Sequence, residues 1–282
     1  MSPDHFRQKT GENLRGAEYS FEAIEIVTSA ALQSNPMDPI RDWFGLLNYG
    51  YRITGVGSSD THYVSRMILG QARSYVLADD QDPANLDVKQ IIKSYREGRV
   101  LVSMGLLVNM TVNDQFHVGD LATGIDGRVK IAVDVTGPRW DRATREDPFQ
   151  LKVYINGYEH FSKEKKREKA ASVKKMSANF ELSGKKLPKH DFWMVAVATG
   201  LGVTAPFWAI PRPYQPSSKT LNPRVIAVTN PIRVDADGDG KFTSARGYAM
   251  RLIKEFGGDL KRLNKELTSY DQAVAAQITI HP

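Results

Sequence analysis

The sequence predicts an α/β portion, then an all-β portion, then a short helical tail. Between residues 21 and 103, apolar runs typical of strands alternate with helical patterns, as in α/β folds. After residue 103, short runs rich in Val, Ile and aromatic residues are separated by turn residues, which indicates an antiparallel sandwich. At 282 residues the chain is long enough for two domains. We therefore expect an α/β domain over 1–103, a β-sandwich over 104–243 and a helical tail over 244–282.

The elements of the α/β portion follow from local patterns. The segment 21–27 is expected to form a buried strand, and Asp38-Pro39 to begin a helix with apolar residues at helical spacing that ends near Gly50. Segments 52–56 and 72–77 are further strand candidates. Asp87 is expected to cap a second helix, which Gly98 would close.

The all-β portion contains six predicted strands, and their turns carry Asn-Gly, Asp-Gly or Ser-Gly pairs. These strands cover 106–112, 128–135, 150–155, 177–182, 192–199 and 225–229. In the tail, apolar residues recur every four positions between 244 and 267, which predicts one or two helices.

Composition excludes several classes of protein. The chain has no cysteine, which excludes disulfides, thiolate zinc sites and cysteine nucleophiles. It has no apolar run near 18 residues and no apolar signal core at its start, so we expect no membrane span and no export signal; the compartment stays open. The net charge is +6, but residues 161–190 alone carry ten Lys and Arg against three Glu without interleaved aromatics. A solvated loop over 162–175 explains this excess better than nucleic-acid binding.

Asp60 and His62 follow the predicted buried strand 52–56 directly. Two residues apart on an extended backbone, their side chains would point the same way and could converge on one ion. Carboxylate and neutral imidazole suit zinc, manganese or iron better than calcium. The alternative is a strand end at which Asp60 caps a turn and His62 is ordinary polar surface.

A second candidate is the segment 235–240. Asp235, Asp237 and Asp239 stand at positions 1, 3 and 5 with Gly240 at position 6, the arrangement with which a calcium loop gathers oxygen ligands around a sharp turn. Position 12 is Arg246 instead of the bidentate Glu of an EF-hand. The alternative is an Asp- and Gly-rich β-turn that binds no ion.

Six runs of the sequence form a recognisable series, at residues 21–27, 43–62, 70–76, 92–105, 153–157 and 229–240. Together they resemble the PHP (polymerase and histidinol phosphatase) superfamily, in particular its carbaryl-hydrolase-like branch of metallohydrolases. The resemblance touches most of residues 21–243 and depends on the order and spacing of these motifs.

The resemblance implies a distorted (β/α) barrel that binds two or three divalent ions and hydrolyses phosphoesters, esters or carbamates of small molecules through metal-activated water. The family's last ligand motif maps onto Asp60 and His62. Its earlier motifs, which begin with His-x-His, have no counterpart here. The other histidines are His5, His117, His160, His190 and His281.

This departure leads to the expectation that the chain is the C-terminal portion of a longer or two-piece metal-dependent hydrolase. It would be inactive until a separate N-terminal half supplies the missing ligands. Glu25 could lie near the site, although a structural role is equally open, and Arg73 could reach an anionic substrate or be a plain salt-bridge partner. The alternative function is a non-catalytic binding or structural module built on the β-sandwich.

Overall fold

The computed structural model describes residues 6–7, 11–13, 19–32, 34–62, 69–141, 143–166, 172–201 and 224–278. These residues form five α-helices: α1 (Met37–Tyr49), α2 (Val88–Glu97), α3 (Ala245–Phe256), α4 (Leu260–Leu267) and α5 (Gln272–Ile278). They also form sixteen strands: β1 (Phe6–Arg7), β2 (Glu12–Asn13), β3 (Ala23–Val27), β4 (Thr54–Gly57), β5 (Arg73–Val76), β6 (Val100–Met104), β7 (Leu107–Val112), β8 (Phe116–His117), β9 (Leu121–Ala122), β10 (Arg128–Thr136), β11 (Phe149–Ile155), β12 (Tyr158–Lys165), β13 (Lys174–Ser183), β14 (Phe192–Leu201), β15 (Arg224–Thr229) and β16 (Ile232–Val234).

The strands form a mixed eight-stranded sheet, an antiparallel four-stranded sheet and two strand pairs within the described residues. The main path of the large sheet is β12-β11-β14-β15-β6-β5, with β16 on β14 and β9 parallel to β16. The four-stranded sheet has the order β13-β10-β7-β8, while β3 and β4 pair in parallel and β1 and β2 pair antiparallel. The prediction of mixed α and β structure is confirmed.

Strand β14 explains how the layers are arranged. Its side chains are buried without a break from Phe192 to Ala198. Phe192, Met194, Ala196 and Ala198 enter the core shared with the four-stranded sheet, which gives the two sheets a sandwich-like arrangement. The alternate residues, such as Trp193, enter a second core against α1 and β3. Because both faces are covered, the strand is apolar at every position.

Helix α1 forms the layer outside the large sheet. Trp43 and Phe44 are buried, and the Trp43 indole N–H donates to the Ile53 carbonyl at 2.8 Å. The helix ends at Gly50, whose φ of 113° lies in the left-handed region that glycine tolerates. The predicted caps of α2 are also confirmed, since the Asp87 carboxylate accepts from the backbone N–H groups of Lys89 and Gln90, and Gly98 is its left-handed C-cap.

The buried side chain of Asn230 links β4 to the large sheet. Its amide accepts from the Gly55 N–H at 2.8 Å and donates to the Gly55 carbonyl at 2.8 Å and to the Val100 carbonyl at 2.9 Å. Gly55 thereby obtains the two hydrogen bonds that a neighbouring strand would provide. This one side chain therefore connects the parallel pair to β6.

The helical tail has a core of its own, formed by buried residues of α3, α4 and α5. Helix α3 begins at Ser244, whose hydroxyl accepts from the Gly247 N–H. The sequence predicts one or two helices between 244 and 267, and the structure has two there, α3 and α4, while α5 lies beyond the predicted segment. In the described residues, no helix is long and apolar enough to cross a membrane.

The basic stretch 162–175 differs from the predicted loop. Strand β12 extends to Lys165 and β13 begins at Lys174; residues 167–171 of the predicted loop lie outside the described residues. β12 is an edge strand with mostly exposed side chains, so it can carry charge on both faces. Lysines are common on such edges because they discourage pairing with other chains.

Candidate metal-binding sites

Asp60 and His62 lie beyond the carboxyl ends of the parallel strands β3 and β4. The register pairs Val27 with Gly57, so both strands end at the same edge. Gly57 is in close contact with the large sheet, because a Cβ atom there would lie 2.8 Å from both the Arg73 carbonyl oxygen and a Val102 methyl group. The strand end is therefore fixed against β5 and β6.

The two side chains meet through a turn. Asp60 has a φ of 50°, and β4 has already ended at Gly57, so the expected extended backbone between Asp60 and His62 is wrong. Asp60 Oδ1 and His62 Nε2 nevertheless lie 3.0 Å apart. Both side chains are largely exposed, at 44% and 66% respectively. The left-handed residue brings the pair together by a different geometry from the predicted one.

Glu25 lies at the same edge of the parallel pair. Its Oε1 accepts from the Ser58 hydroxyl at 2.5 Å, and the same hydroxyl oxygen accepts from the Asp60 N–H at 3.3 Å. Ser58 thus connects Glu25 to the turn that carries Asp60. Arg73 is exposed on β5.

Asp60 and His62 alone are too few ligands for a catalytic metal site in the described part of the chain. A catalytic zinc site ordinarily has three protein ligands and one open position. Among the described residues, the group of His, Asp and Glu side chains close enough to share an ion lies elsewhere and includes neither residue. His5 lies outside the described residues.

The cluster that the structure does bring together is formed by the Asp235 loop. Asp191, Asp235, Asp237 and Asp239 each place one carboxylate oxygen within 4.8 Å of the others. Oxygens bound to one calcium ion at 2.3–2.6 Å are separated by at most about 5 Å. The expected convergence of Asp235, Asp237 and Asp239 is therefore present, and the cluster could hold a metal ion.

The loop is folded by its own carboxylates. Asp235 accepts from the Gly238 N–H at 2.8 Å and from the Gly240 N–H at 2.9 Å. Asp237 accepts from the Asp239 N–H, and Asp239 accepts from the Lys241 N–H. Gly238 and Gly240 both have φ near 78°, which allows the chain to turn sharply around the carboxylates.

Asp191 is the member that the sequence did not reveal. It precedes β14 and is almost fully buried, and its carboxylate accepts from the N–H groups of Ala236, Asp237 and Thr243. Asp191 is far from the loop in sequence, so spacing alone could not predict this contact. The one feature of the sequence that could have pointed to Asp191 is the position of a charged residue directly before the longest buried strand. Arg246, at position 12, lies instead over the Tyr49 ring, 4.0 Å from its centre.

Neighbouring polar groups complete the surroundings of the cluster. The Tyr248 hydroxyl donates to Asp237 at 2.6 Å and accepts from the Asp191 N–H at 3.1 Å. Arg251 lies 3.9 Å from the Asp237 carboxylate. His190 Nε2 accepts from the Asp271 N–H, so its Nδ1 carries the proton that is donated to the Asp191 carbonyl.

The pKa shifts at the cluster reflect burial first and repulsion between neighbouring acidic groups second. Burial raises the pKa of the Asp191 carboxyl; the backbone N–H bonds from Thr243, Asp237 and Ala236 oppose this rise, and repulsion from Asp237 adds to it. Burial and the hydrogen bond to Asp237 raise the pKa of Tyr248 far above its usual value. A bound cation would offset this repulsion.

Comparison of the sequence with models of known protein families and with curated proteins gave no match. The PHP resemblance therefore stays a prediction, and the geometry of the two candidate metal sites supports the functional proposals.

Proposed function

We propose that this chain is part of a PHP-type metal-dependent hydrolase and that Asp60 and His62 are two ligands of its divalent-metal centre. The observation that carries this proposal is the position of the pair. Asp60 Oδ1 and His62 Nε2 lie 3.0 Å apart beyond the carboxyl ends of the parallel strands β3 and β4. Ligands of α/β barrels and open α/β sheets bind at this edge.

The other ligands of this centre come from outside the described residues. Two ligands hold an ion weakly, and a third is absent from the described part of the chain. We propose that a separate or preceding segment supplies them and that the hydrolysed bond is a phosphoester, ester or carbamate in a small molecule. Zinc, manganese and iron suit the carboxylate and imidazole ligands.

The exposed apolar side chains of the α/β portion support a further segment. Tyr75 and Leu77, on and just after β5, are 46% and 57% exposed, and Val88 and Ile92 of α2 are 62% and 53% exposed. Exposed apolar side chains on neighbouring elements are a surface that another part of a protein can cover. A segment that covered these side chains would also lie near β4, which contacts both β5 and α2.

The proposal is tested by hydrolysis of a generic phosphoester or ester with added zinc or manganese. We expect the purified chain to match its Asp60→Asn variant, with no metal-dependent turnover in either. Turnover by the chain alone that requires Asp60 would contradict the proposed incompleteness. The coding sequence immediately upstream provides a second test, because the absence of a His-x-His barrel half there would contradict the parent hydrolase.

A second candidate function is that of a structural module whose Asp235 loop binds calcium. The specific observation in its favour is the cluster of four carboxylates, two of them buried, in a loop already turned around them. An ion there would join the start of β14, the end of β16 and the approach to α3. All four ligands are hard oxygens, which calcium prefers.

Calcium titration with a thermal-unfolding readout tests this second function. We expect calcium to raise the melting temperature of the wild-type chain and to have a much smaller effect on Asp239→Asn. Asp60→Asn is the matched control and should keep the full rise. An unchanged wild-type melting temperature in millimolar calcium would exclude the site.

A further inference from the structure

Arg52 and Arg233, together with Arg96, line one pocket at the opposite end of β4 from Asp60 and His62. The pocket has a volume of about 150 Å³ and lies between the start of β4, the end of α2 and β16. An adjoining pocket of about 80 Å³ shares Arg52, Arg233 and Phe242 with it. Other residues that line the larger pocket include Thr54, Gly98, Gly119 and Asn230.

Neither the Arg52 nor the Arg233 guanidinium has an acidic partner in the part of the chain that the structure describes. The Arg233 guanidinium lies over the Phe242 ring, 5.8 Å from its centre, and the Arg233 backbone pairs in the sheet. Arg52 is exposed at the start of the second predicted strand. Neither of these two positive groups is therefore neutralised by a carboxylate, although the Glu97 side chain also lines the pocket.

The acidic groups around the pocket are already paired with other cations. Glu97 lies 3.2 Å from Arg99 and 3.8 Å from Lys93. Arg96, which also lines the pocket, lies 2.6 Å from Glu22. Arg52 and Arg233 are thus the cations left for a ligand.

The environment of Arg233 makes this excess charge unfavourable. Burial, with added repulsion from Arg52, lowers the pKa of Arg233 to about 10, so the group is still charged at neutral pH. Arg233 is half-buried, and a guanidinium that is partly withdrawn from water without a counter-ion is destabilising because its lost hydration is not replaced. An anion in the pocket would remove both effects.

We propose that this pocket binds a phosphate group, as inorganic phosphate or a phosphomonoester, between Arg52 and Arg233. A phosphate group carries roughly −1.5 to −2 charge at pH 7, which matches two guanidinium groups. The planar donor fork of arginine fits phosphate oxygens in pairs. One water molecule needs about 10–15 Å³ of this kind of cavity volume, so a pocket of about 150 Å³ has room for a phosphate group.

The Thr54 and Asn230 side chains of the pocket are already hydrogen-bonded within the protein, which leaves recognition of the phosphate group to the arginines. The Thr54 hydroxyl donates to the Tyr95 carbonyl, and the Asn230 amide is engaged by Gly55 and Val100. The two arginines therefore dominate affinity, and the site is independent of the proposed metal centre at the far end of β4.

Calorimetric titration of the full chain with sodium phosphate, at constant ionic strength set with sodium chloride, tests the proposal. We expect saturable binding that Arg52→Met and Arg233→Met each weaken at least about tenfold, since each removes charged hydrogen bonds. Arg128→Met, on the exposed face of β10, is the matched control and should bind as the wild type does. Circular dichroism verifies the fold of each variant, and exposed Arg52 provides the test if Arg233→Met fails to fold.

A parallel titration with glycerol 3-phosphate distinguishes the two sources of the phosphate group. Tighter binding of glycerol 3-phosphate identifies a phosphomonoester as the occupant, and tighter binding of sodium phosphate identifies the inorganic ion; either result supports the site. No binding of either compound at about 10 mM would overturn the proposal. Equal binding by wild type, Arg52→Met and Arg128→Met would also overturn it.

Discussion

Replacement of Asn230 by alanine should release the strand that leads to Asp60 and His62. The substitution removes all three side-chain hydrogen bonds that connect β4 with β6. The Val100 carbonyl keeps the bond from the Asn230 backbone N–H, but the buried N–H and carbonyl of Gly55 lose their partners. Each unsatisfied buried group costs about 1–3 kcal/mol. Because the adjoining pocket of about 150 Å³ admits water, we expect a loss near the lower end, about 3 kcal/mol in total.

Urea unfolding followed by tryptophan fluorescence measures this loss. Asn179→Ala is the matched control, because Asn179 is exposed on β13 and its replacement should change stability by no more than about 0.5 kcal/mol. Hydrogen exchange should also become faster in the segment 53–58 of Asn230→Ala. A loss below about 1 kcal/mol with unchanged exchange would refute the role assigned to Asn230.

Two further predictions concern the same strand and the acidic loop. Gly57→Ala should lower stability by about 1–3 kcal/mol in urea unfolding, because the new methyl group would meet the Arg73 backbone and the Val102 side chain. Gly258→Ala is the control and should be near neutral, because a methyl group there enters open space. Equal effects of the two substitutions would contradict the close approach at Gly57. Burial raises the folded-state pKa of Asp191, so its ionised form is unfavourable at neutral pH and this penalty disappears as pH falls through that pKa. Calcium binds the ionised carboxylate, so protonation of Asp191 competes with calcium. The calcium-induced rise in melting temperature should therefore be smaller at pH 5 than at pH 7.5, and a rise independent of pH would contradict the role of Asp191.

Local patterns in the sequence were sufficient to predict much of the fold. Asp87 and Gly98 delimit α2 because capping depends on neighbouring backbone groups. The buried run of β14 was visible because both of its faces are covered. The basic stretch was misread because charge on an edge strand resembles charge in a loop.

At the candidate sites, too, local spacing could be predicted from the sequence, whereas tertiary contacts and backbone conformation could not. Asp235, Asp237 and Asp239 could be grouped from their spacing, because one sharp turn gathers them. Asp191 could not be grouped with them, since a tertiary contact across 44 or more residues places it there. Sequence spacing suggested that Asp60 and His62 meet, but the left-handed turn at Asp60 could not be read from an alternation rule.

Metal analysis of the protein tagged at its C-terminus and purified from its own cells tests the central claim most directly. Such a preparation contains whatever segment supplies the remaining ligands. The account predicts zinc, manganese or iron bound to the wild type and lost from His62→Ala, while Asp239→Asn keeps this metal. A wild-type protein without these metals, or a metal content that His62→Ala leaves unchanged, would contradict the account.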